Sequence, residues 1–446
     1  MILQRIALRL TRWSERFVPS AFSIACLLTL ATFLFGVFLA RKSFFQCVGY
    51  WGDGFWTLLD FGMQMCLVMM TGAILAGAPL FKRILDAFTS LAKTPKSAVL
   101  WMAFASLALA WLHWGLGLVA SAILVRGFAR RHPGVDFRVL TAAAYFGMGA
   151  IWHAGLSGSA PLLVATPNHF MEAQIGLIPL TQTLFTPFNL GLSAVTVLAL
   201  LLLARWYYPS NPKDVWTVSP EVLKNFEESD AVHQKPQART WAEKVEHTYV
   251  LNFLLGALGL LWAFQTLRSG NFHLTLNTLN FLFLSLAFLA HPSPAAFVKA
   301  GEEAVTFVHG VILQFPLYAG MYGIIKGSGL DQIIAEGFIG LADSRNFPFI
   351  IYWYSGILNY FVPSGGSKWA IEAPYILEAA KVLHVPYSKV VLAYAWGDMV
   401  TDMIQPFWCI PILTVARIEF KEILGYCAIA FLVCSLIGSL AFLLIL

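Results

Sequence analysis

Charge is what this chain has least of. Asp, Glu, Lys and Arg make up 12% of its 446 residues, about half the share of a soluble domain, which excludes an ordinary soluble enzyme or binding module. The net charge of +5 marks which loops are cytoplasmic and implies no nucleic-acid partner. Cysteine is sparse too. The six residues form no C-x-x-C, and Cys26, Cys66, Cys427 and Cys434 lie in apolar runs, so neither a metal site nor a disulfide framework is expected. The strict alternation of a membrane β-barrel is missing. The N-terminal "MILQRIALRLTRWSERF" lacks a small-residue cleavage site, so residues 1–16 are expected to be a retained cytoplasmic amphipathic helix and not a signal peptide.

What is abundant is oil. Hydrophobic residues reach 58%, in runs of about 20, enough to cross a bilayer. The fold class is therefore an all-α polytopic membrane protein. Nine full spans are expected at 17–40, 55–78, 139–165, 184–204, 249–267, 274–290, 305–325, 390–415 and 423–446. Two regions, 97–125 and 347–383, do not fit as single spans. Arg5, Arg9, Arg12 and Arg16 place the N-terminus in the cytoplasm by the positive-inside rule. Basic residues flank 97–125 on both sides (Lys93 and Lys96, then Arg126, Arg130 and Arg131). Two crossings need about 40 apolar residues, more than this region holds. A re-entrant hairpin with its tip at His113–Gly117 resolves the conflict, provided protein or water covers its backbone.

The polar stretch 207–248 reads as a cytoplasmic linker, and 249–268 as a connecting span. Around them the chain repeats at a shift of about 250 residues. "FGMQMCLVMMTG" lies opposite "HGVILQFPLYAG", "LTAAAYFG" opposite "VVLAYAWG", and "LSGSAPLL" opposite "PFWCIPIL". This predicts two repeats, 17–206 and 269–446. The odd connecting span inverts the second, so its hairpin, 347–383, enters from the periplasm and the C-terminus ends there. Inverted repeats with paired hairpins describe a secondary transporter that binds its substrate near the midplane.

The candidate site follows from the breaks. Spans 139–165 and 390–415 are interrupted by glycine and proline, and broken helices expose unpaired N–H groups suited to a carboxylate. The first break offers Ser157, Gly158 and Ser159, and the first tip offers His113, Gly115 and Gly117. The second tip reads "PSGGSK". Gly365 and Gly366 let the backbone turn close to a ligand, Ser364 or Ser367 can cap the ascending helix, and Lys368 stands beside them. Lys368 either meets the substrate anion or pairs with Glu372, one turn on. Asp398, Asp402 and His153 are the expected coupling groups, for a proton or Na⁺; no cofactor is expected. Two other functions fit parts of the sequence. "GLSG" at 155–158, with His153 nearby, matches an intramembrane serine protease. A passive weak-acid channel would share the composition.

"FVPSGGSKWAIEAPYI", "VPSAFSIACLLTL" and "GDMVTDMIQPFW" together resemble the bacterial short-chain fatty acid transporter family, along essentially the whole chain. The resemblance implies uptake of short monocarboxylates such as acetoacetate or butyrate across the inner membrane, coupled to an ion gradient, on an elevator-type fold that is often dimeric. Sodium–dicarboxylate members of the same superfamily carry Ser-Asn-Thr at their hairpin tips. Here the tips read Gly115-Leu116-Gly117 and Ser364-Gly365-Gly366-Ser367, and a single Lys368 suits one carboxylate better than two.

Overall fold

The fold comes from a computed structural model that describes residues 19–218, 221, 223 and 240–444. The helix expected at 1–16 and much of the linker lie outside these residues. The described residues form helices and no strands. Five helices are long and apolar enough to cross a membrane, and three bent pairs pass the same test together.

Before the linker come α1 (Ala21–Phe38), α2 (Phe44–Gly54), α3 (Leu59–Gly77), α4 (Pro79–Thr89), α5 (Pro95–Leu112), α6 (Trp114–Arg131), α7 (Phe137–Ala150), α8 (Ser159–Val164), α9 (Glu172–Ile175) and α10 (Pro187–Tyr207). The linker holds α11 (Trp241–Glu246), and α12 (Tyr249–Arg268) follows it. Then come α13 (Leu276–Ala290), α14 (Pro294–Val305), α15 (His309–Ser328), α16 (Leu330–Leu341), α17 (Phe347–Phe361), α18 (Gly365–Val382), α19 (Tyr387–Val400), α20 (Ile410–Ala416) and α21 (Phe420–Leu444).

Two helix pairs turn back on themselves. A single extended residue, His113, joins α5 to α6, while Val362, Pro363 and Ser364 join α17 to α18. The first pair is longer than the 97–125 expected from its apolar core. Thr94 and Ser97 cap its start reciprocally, and its last turn carries Arg130 and Arg131, so polar ends extend both arms. Ahead of the second pair, the Asp343 carboxylate accepts the N–H groups of Arg345 and Asn346. Those bonds hold its carboxyl below the usual range.

Packing relations recur between the parts. α5 packs on α7 as α17 packs on α19, and α3 on α6 as α15 on α18. The contact devices recur as well. Ser106 Oγ donates to the Ala143 carbonyl at 2.7 Å, and Ser355 Oγ to the Tyr394 carbonyl at 3.0 Å. One turn further along each broken span stands a glycine, Gly147 or Gly397. A Cβ on Gly147 would overlap the Ser106 carbonyl oxygen, and one on Gly397 the Tyr352 carbonyl oxygen. Small residues let helix backbones touch where lipid supplies no hydrophobic drive.

That contact gives the first prediction. Gly397→Ala forces α17 away from α19 and costs about 3 kcal/mol. Its melting temperature in detergent should drop clearly, while Gly49→Ala, where a Cβ meets nothing within 4 Å, should leave it within about a degree.

Candidate functional site

Both broken spans stop where backbone bonding is interrupted. α7 ends at Ala150 and passes through a 3-10 turn, Trp152–Ala154, before α8 resumes 42° away. α19 gives way to a 3-10 turn over Thr401–Ile404, and the chain continues into α20 with a bend of 69°. The second hairpin tip lies against both breaks. The Trp408 indole donates to the Pro363 carbonyl at 2.9 Å, and the Tyr394 hydroxyl to the Gly365 carbonyl at 2.6 Å.

Ser364 occupies the N-cap of α18, yet its side chain makes no capping bond. Its hydroxyl pairs with that of Ser367 at 2.8 Å, contrary to the expected cap. The hydroxyls satisfy each other, and the first amide to bond within the turn is that of Lys368, to the Ser364 carbonyl. The amides of Gly365, Gly366 and Ser367 precede that bond, as at any helix start. Ser364, Gly365 and Gly366 line a cavity of about 30 Å³ together with Ser159, Met65, Phe315 and the indoles of Trp114, Trp152 and Trp408. That is room for a water or two and too little for an acid of several carbons.

The first tip is used differently. His113 caps α6 by accepting the Leu116 amide on Nδ1, and its ring lies against Phe283. Gly115 packs on the backbone of Val68 and Met69, and Gly117 on Ala110. These three are packing positions, and Trp114 is the residue of this tip that reaches the cavity. Ser157 Oγ accepts the Trp114 amide at 2.8 Å, tying the first tip to the first break. Gly158 lets the chain fold back against the His153 carbonyl.

Behind the cavity lies a charged cluster sealed from solvent: Lys368, Glu372, Asp398 and His153 are 0% exposed and Asp402 1%. The Lys368 ammonium donates to Glu372 Oε1 at 3.1 Å, to Ser355 Oγ at 2.6 Å and to the Ser355 carbonyl at 3.1 Å. It also pairs with Asp398 Oδ1 at 3.0 Å and lies over the Tyr394 ring. The expected pairing of Lys368 with Glu372 is made, and Asp398 joins it as a second carboxylate. Asp398 Oδ2 meets His153 Nδ1 at 2.7 Å. His153 Nε2 accepts the Ala160 amide, so the ring proton sits on Nδ1 and points at Asp398. Both His153 nitrogens are therefore engaged, and neither serves Ser157 as the general base that a protease requires.

Asp398 and Asp402 are one turn apart but face different partners. Asp402 accepts from Asn359 Nδ2 at 2.8 Å, Gln405 Nε2 at 3.2 Å and the Trp152 indole at 3.1 Å. Ser355, Asn359, Trp152, Tyr394 and Gln405 were not anticipated. Ser355 and Asn359 had a readable signal, being polar, four apart and on one face of an otherwise oily helix. Trp152 and Tyr394 had none, since aromatic residues in spans are ordinary.

The apolar helices and broken spans define a multi-pass helical membrane protein. The chain overlays the Alcanivorax borkumensis YdaH transporter with a TM-score of 0.62 at 17% identity, covering 95% of this chain and 98% of that one. It overlays Neisseria gonorrhoeae MtrF, described as illuminating a class of antimetabolite efflux pumps, with a TM-score of 0.57 at 15% identity and 97% of each chain. At these identities the likeness concerns fold alone. Sequence goes further. Residues 2–445 match the short chain fatty acid transporter family, and the chain belongs to it. A protein of Escherichia coli (strain K12) named for short-chain fatty acid transport is 37% identical over 97% of both chains. One so named from Haemophilus influenzae is 34% identical over 96% of this chain and 97% of its own.

Two outcomes follow from the geometry. A Cβ at Gly365 would come within 2.7 Å of both Asp398 Oδ2 and His153, whereas one at Gly366 meets the ends of the Phe61 and Met65 side chains at 3.1 Å or more. In a transport assay Gly365→Ala should lose at least tenfold and Gly366→Ala less than threefold. Lys368→Met leaves buried carboxylates uncompensated, at a cost of about 3–5 kcal/mol. Its melting temperature should fall well below that of Lys326→Met, which breaks a partly exposed pair.

Proposed function

We propose that the protein takes up short monocarboxylates, acetoacetate and butyrate among them, across the bacterial inner membrane by secondary active transport driven by a proton or sodium gradient. The observation that carries this reading is the charge count behind the cavity. Three buried carboxylates, Glu372, Asp398 and Asp402, stand against one buried ammonium, Lys368, which pairs with the first two, and His153 is neutral in the tautomer its bonds define. An uncompensated charge at membrane depth is expensive, and a transporter that binds a cation as part of its cycle has a use for such a site. Amides at the start of α18 suit the acid's carboxylate. Trp114, Trp152, Trp408 and Phe315 suit a short apolar tail and offer no second cation to a dicarboxylate. The inverted arrangement of the two repeats, with a cytoplasmic N-terminus and a periplasmic C-terminus, belongs to the same proposal.

A passive weak-acid channel would share the cavity but not the need for a buried ion site. Purified protein in proteoliposomes should accumulate labelled acetoacetate above the electrochemical equilibrium of the anion when a cation gradient is imposed. It should also show counterflow with C2 to C6 monocarboxylates and not with succinate. Uptake that stops at equilibrium would identify a channel.

A further inference from the structure

We propose that the ion carried with the acid is a proton, and that it rides on the Glu372 carboxyl, beside Lys368 and Asp398 in the second hairpin. This rests on the transporter reading above and goes beyond it by choosing the ion and its seat.

The choice comes from what surrounds each oxygen. A hard cation such as Na⁺ is held by carboxylate and carbonyl oxygens. Here most of those oxygens already face a donor or the Lys368 ammonium. Asp402 is ringed by N–H groups of Asn359, Gln405 and Trp152. Asp398 faces His153 on one oxygen and the Lys368 ammonium on the other. The carbonyls near the breaks and the tip are engaged as well. Tyr145 donates to those of Asp402 and Gln405, Trp408 to Pro363, Tyr394 to Gly365, and Thr401 to Gly356. The position between Glu372 and Asp398, where a metal ion would gain most, holds the ammonium. Among the described residues no group of three or more His, Cys, Asp or Glu side chains is arranged to hold a metal.

A proton needs only one free oxygen, and the cluster keeps two without a hydrogen-bond donor, Asp398 Oδ1 and Glu372 Oε2. Asp398 Oδ1 lies 3.0 Å from the Lys368 ammonium, which leaves Glu372 Oε2 as the one with no cation against it. Glu372 Oε2 is buried without a hydrogen-bond partner, while Oε1 faces Lys368. The charged and titratable neighbours of Glu372 can be named element by element. Lys368 and Tyr375 share its helix, Tyr354 comes from α17, and Tyr394 and Asp398 from α19. On α15 and α16, Lys326 and Asp331 pair with each other, and α8 carries no titratable residue. Binding the proton forms an O–H bond at Oε2 and removes one negative charge. Lys368 then pairs with Asp398 alone, and that pair is neutral. Release breaks the same bond and returns the proton to water on the other side of the membrane. The tip senses the change because Gly365 lies against Asp398 while lining the cavity.

The test uses full-length protein in proteoliposomes loaded with a pH-reporting dye, with protein-free vesicles subtracted. Acetoacetate added at equal pH should acidify the lumen equally in Na⁺ and K⁺ media. An acidic exterior should drive accumulation, and an inward Na⁺ gradient at equal pH should not. In Glu372→Gln, pH-driven accumulation should fall at least tenfold while counterflow, which needs no ion gradient, falls less than threefold; Glu372→Asp should restore part of the accumulation. Accumulation driven by Na⁺ at equal pH overturns the assignment, as does undiminished pH-driven accumulation in Glu372→Gln. The wild-type arms stand even if the variant does not fold. Counterflow in the wild type separates the two readings: if it is absent, transport itself fails; if present but sodium-driven, only the proton falls.

Discussion

One ammonium shared by two carboxylates is the contact on which the rest of the site depends. Lys368 is wholly buried, and charge at that depth persists only when paired. Its partners come from three elements: Glu372 from α18, Asp398 from α19, and the Ser355 hydroxyl and carbonyl from α17. The lysine therefore bonds the second hairpin to the second broken span, and it fixes the height at which α18 begins. Gly365 then follows of necessity. With α18 held at that height, its first residue meets Asp398 and His153 closely enough to leave no room for a side chain.

How much of this was legible beforehand differs by feature, for physical reasons. Helix is the one open structure that satisfies its own backbone in lipid, so apolar runs alone sufficed for the class, and glycine and proline sufficed for the breaks. The hairpin tips were legible because polar, flexible residues stand inside oil; the structure turns at His113 and at Val362–Ser364. Partners were not legible. Asp398 and Asp402 are four apart and would share one face of a continuous helix. The helix ends at Val400, and the 3-10 turn that follows re-aims Asp402 toward Trp152 and Asn359. Likewise, Gly115 and Gly117 have the composition of a ligand-binding tip, but α3 and α5 press on them from outside. Sequence records that a backbone approaches, not which backbone.

The recurrence of packing between the parts and the contrast in their charge belong to one argument. Ser106 with Gly147 and Ser355 with Gly397 make the same clamp twice, so the two parts share a packing device. The charged cluster does not recur. Lys368, Glu372, Asp398 and Asp402 all belong to the second part, and the first answers with neutral donors. His153 donates to Asp398, Trp152 to Asp402, and Tyr145 to the Asp402 carbonyl. Each of these bonds joins the two broken spans, and the one from Trp152 to Asp402 does so at their turns, where α-helical bonding is interrupted. A change in charge on the second part therefore alters bonds that the first part makes, and the cavity wall between them includes Trp152 on one side and Gly365 on the other. In the proposed cycle, ion occupancy and cavity shape would be coupled through these shared residues, with no intervening chain of contacts required. On the proposed function, that economy gives the cluster's place directly behind the cavity a purpose: an ion bound elsewhere would need a separate device to make the acid's passage depend on it.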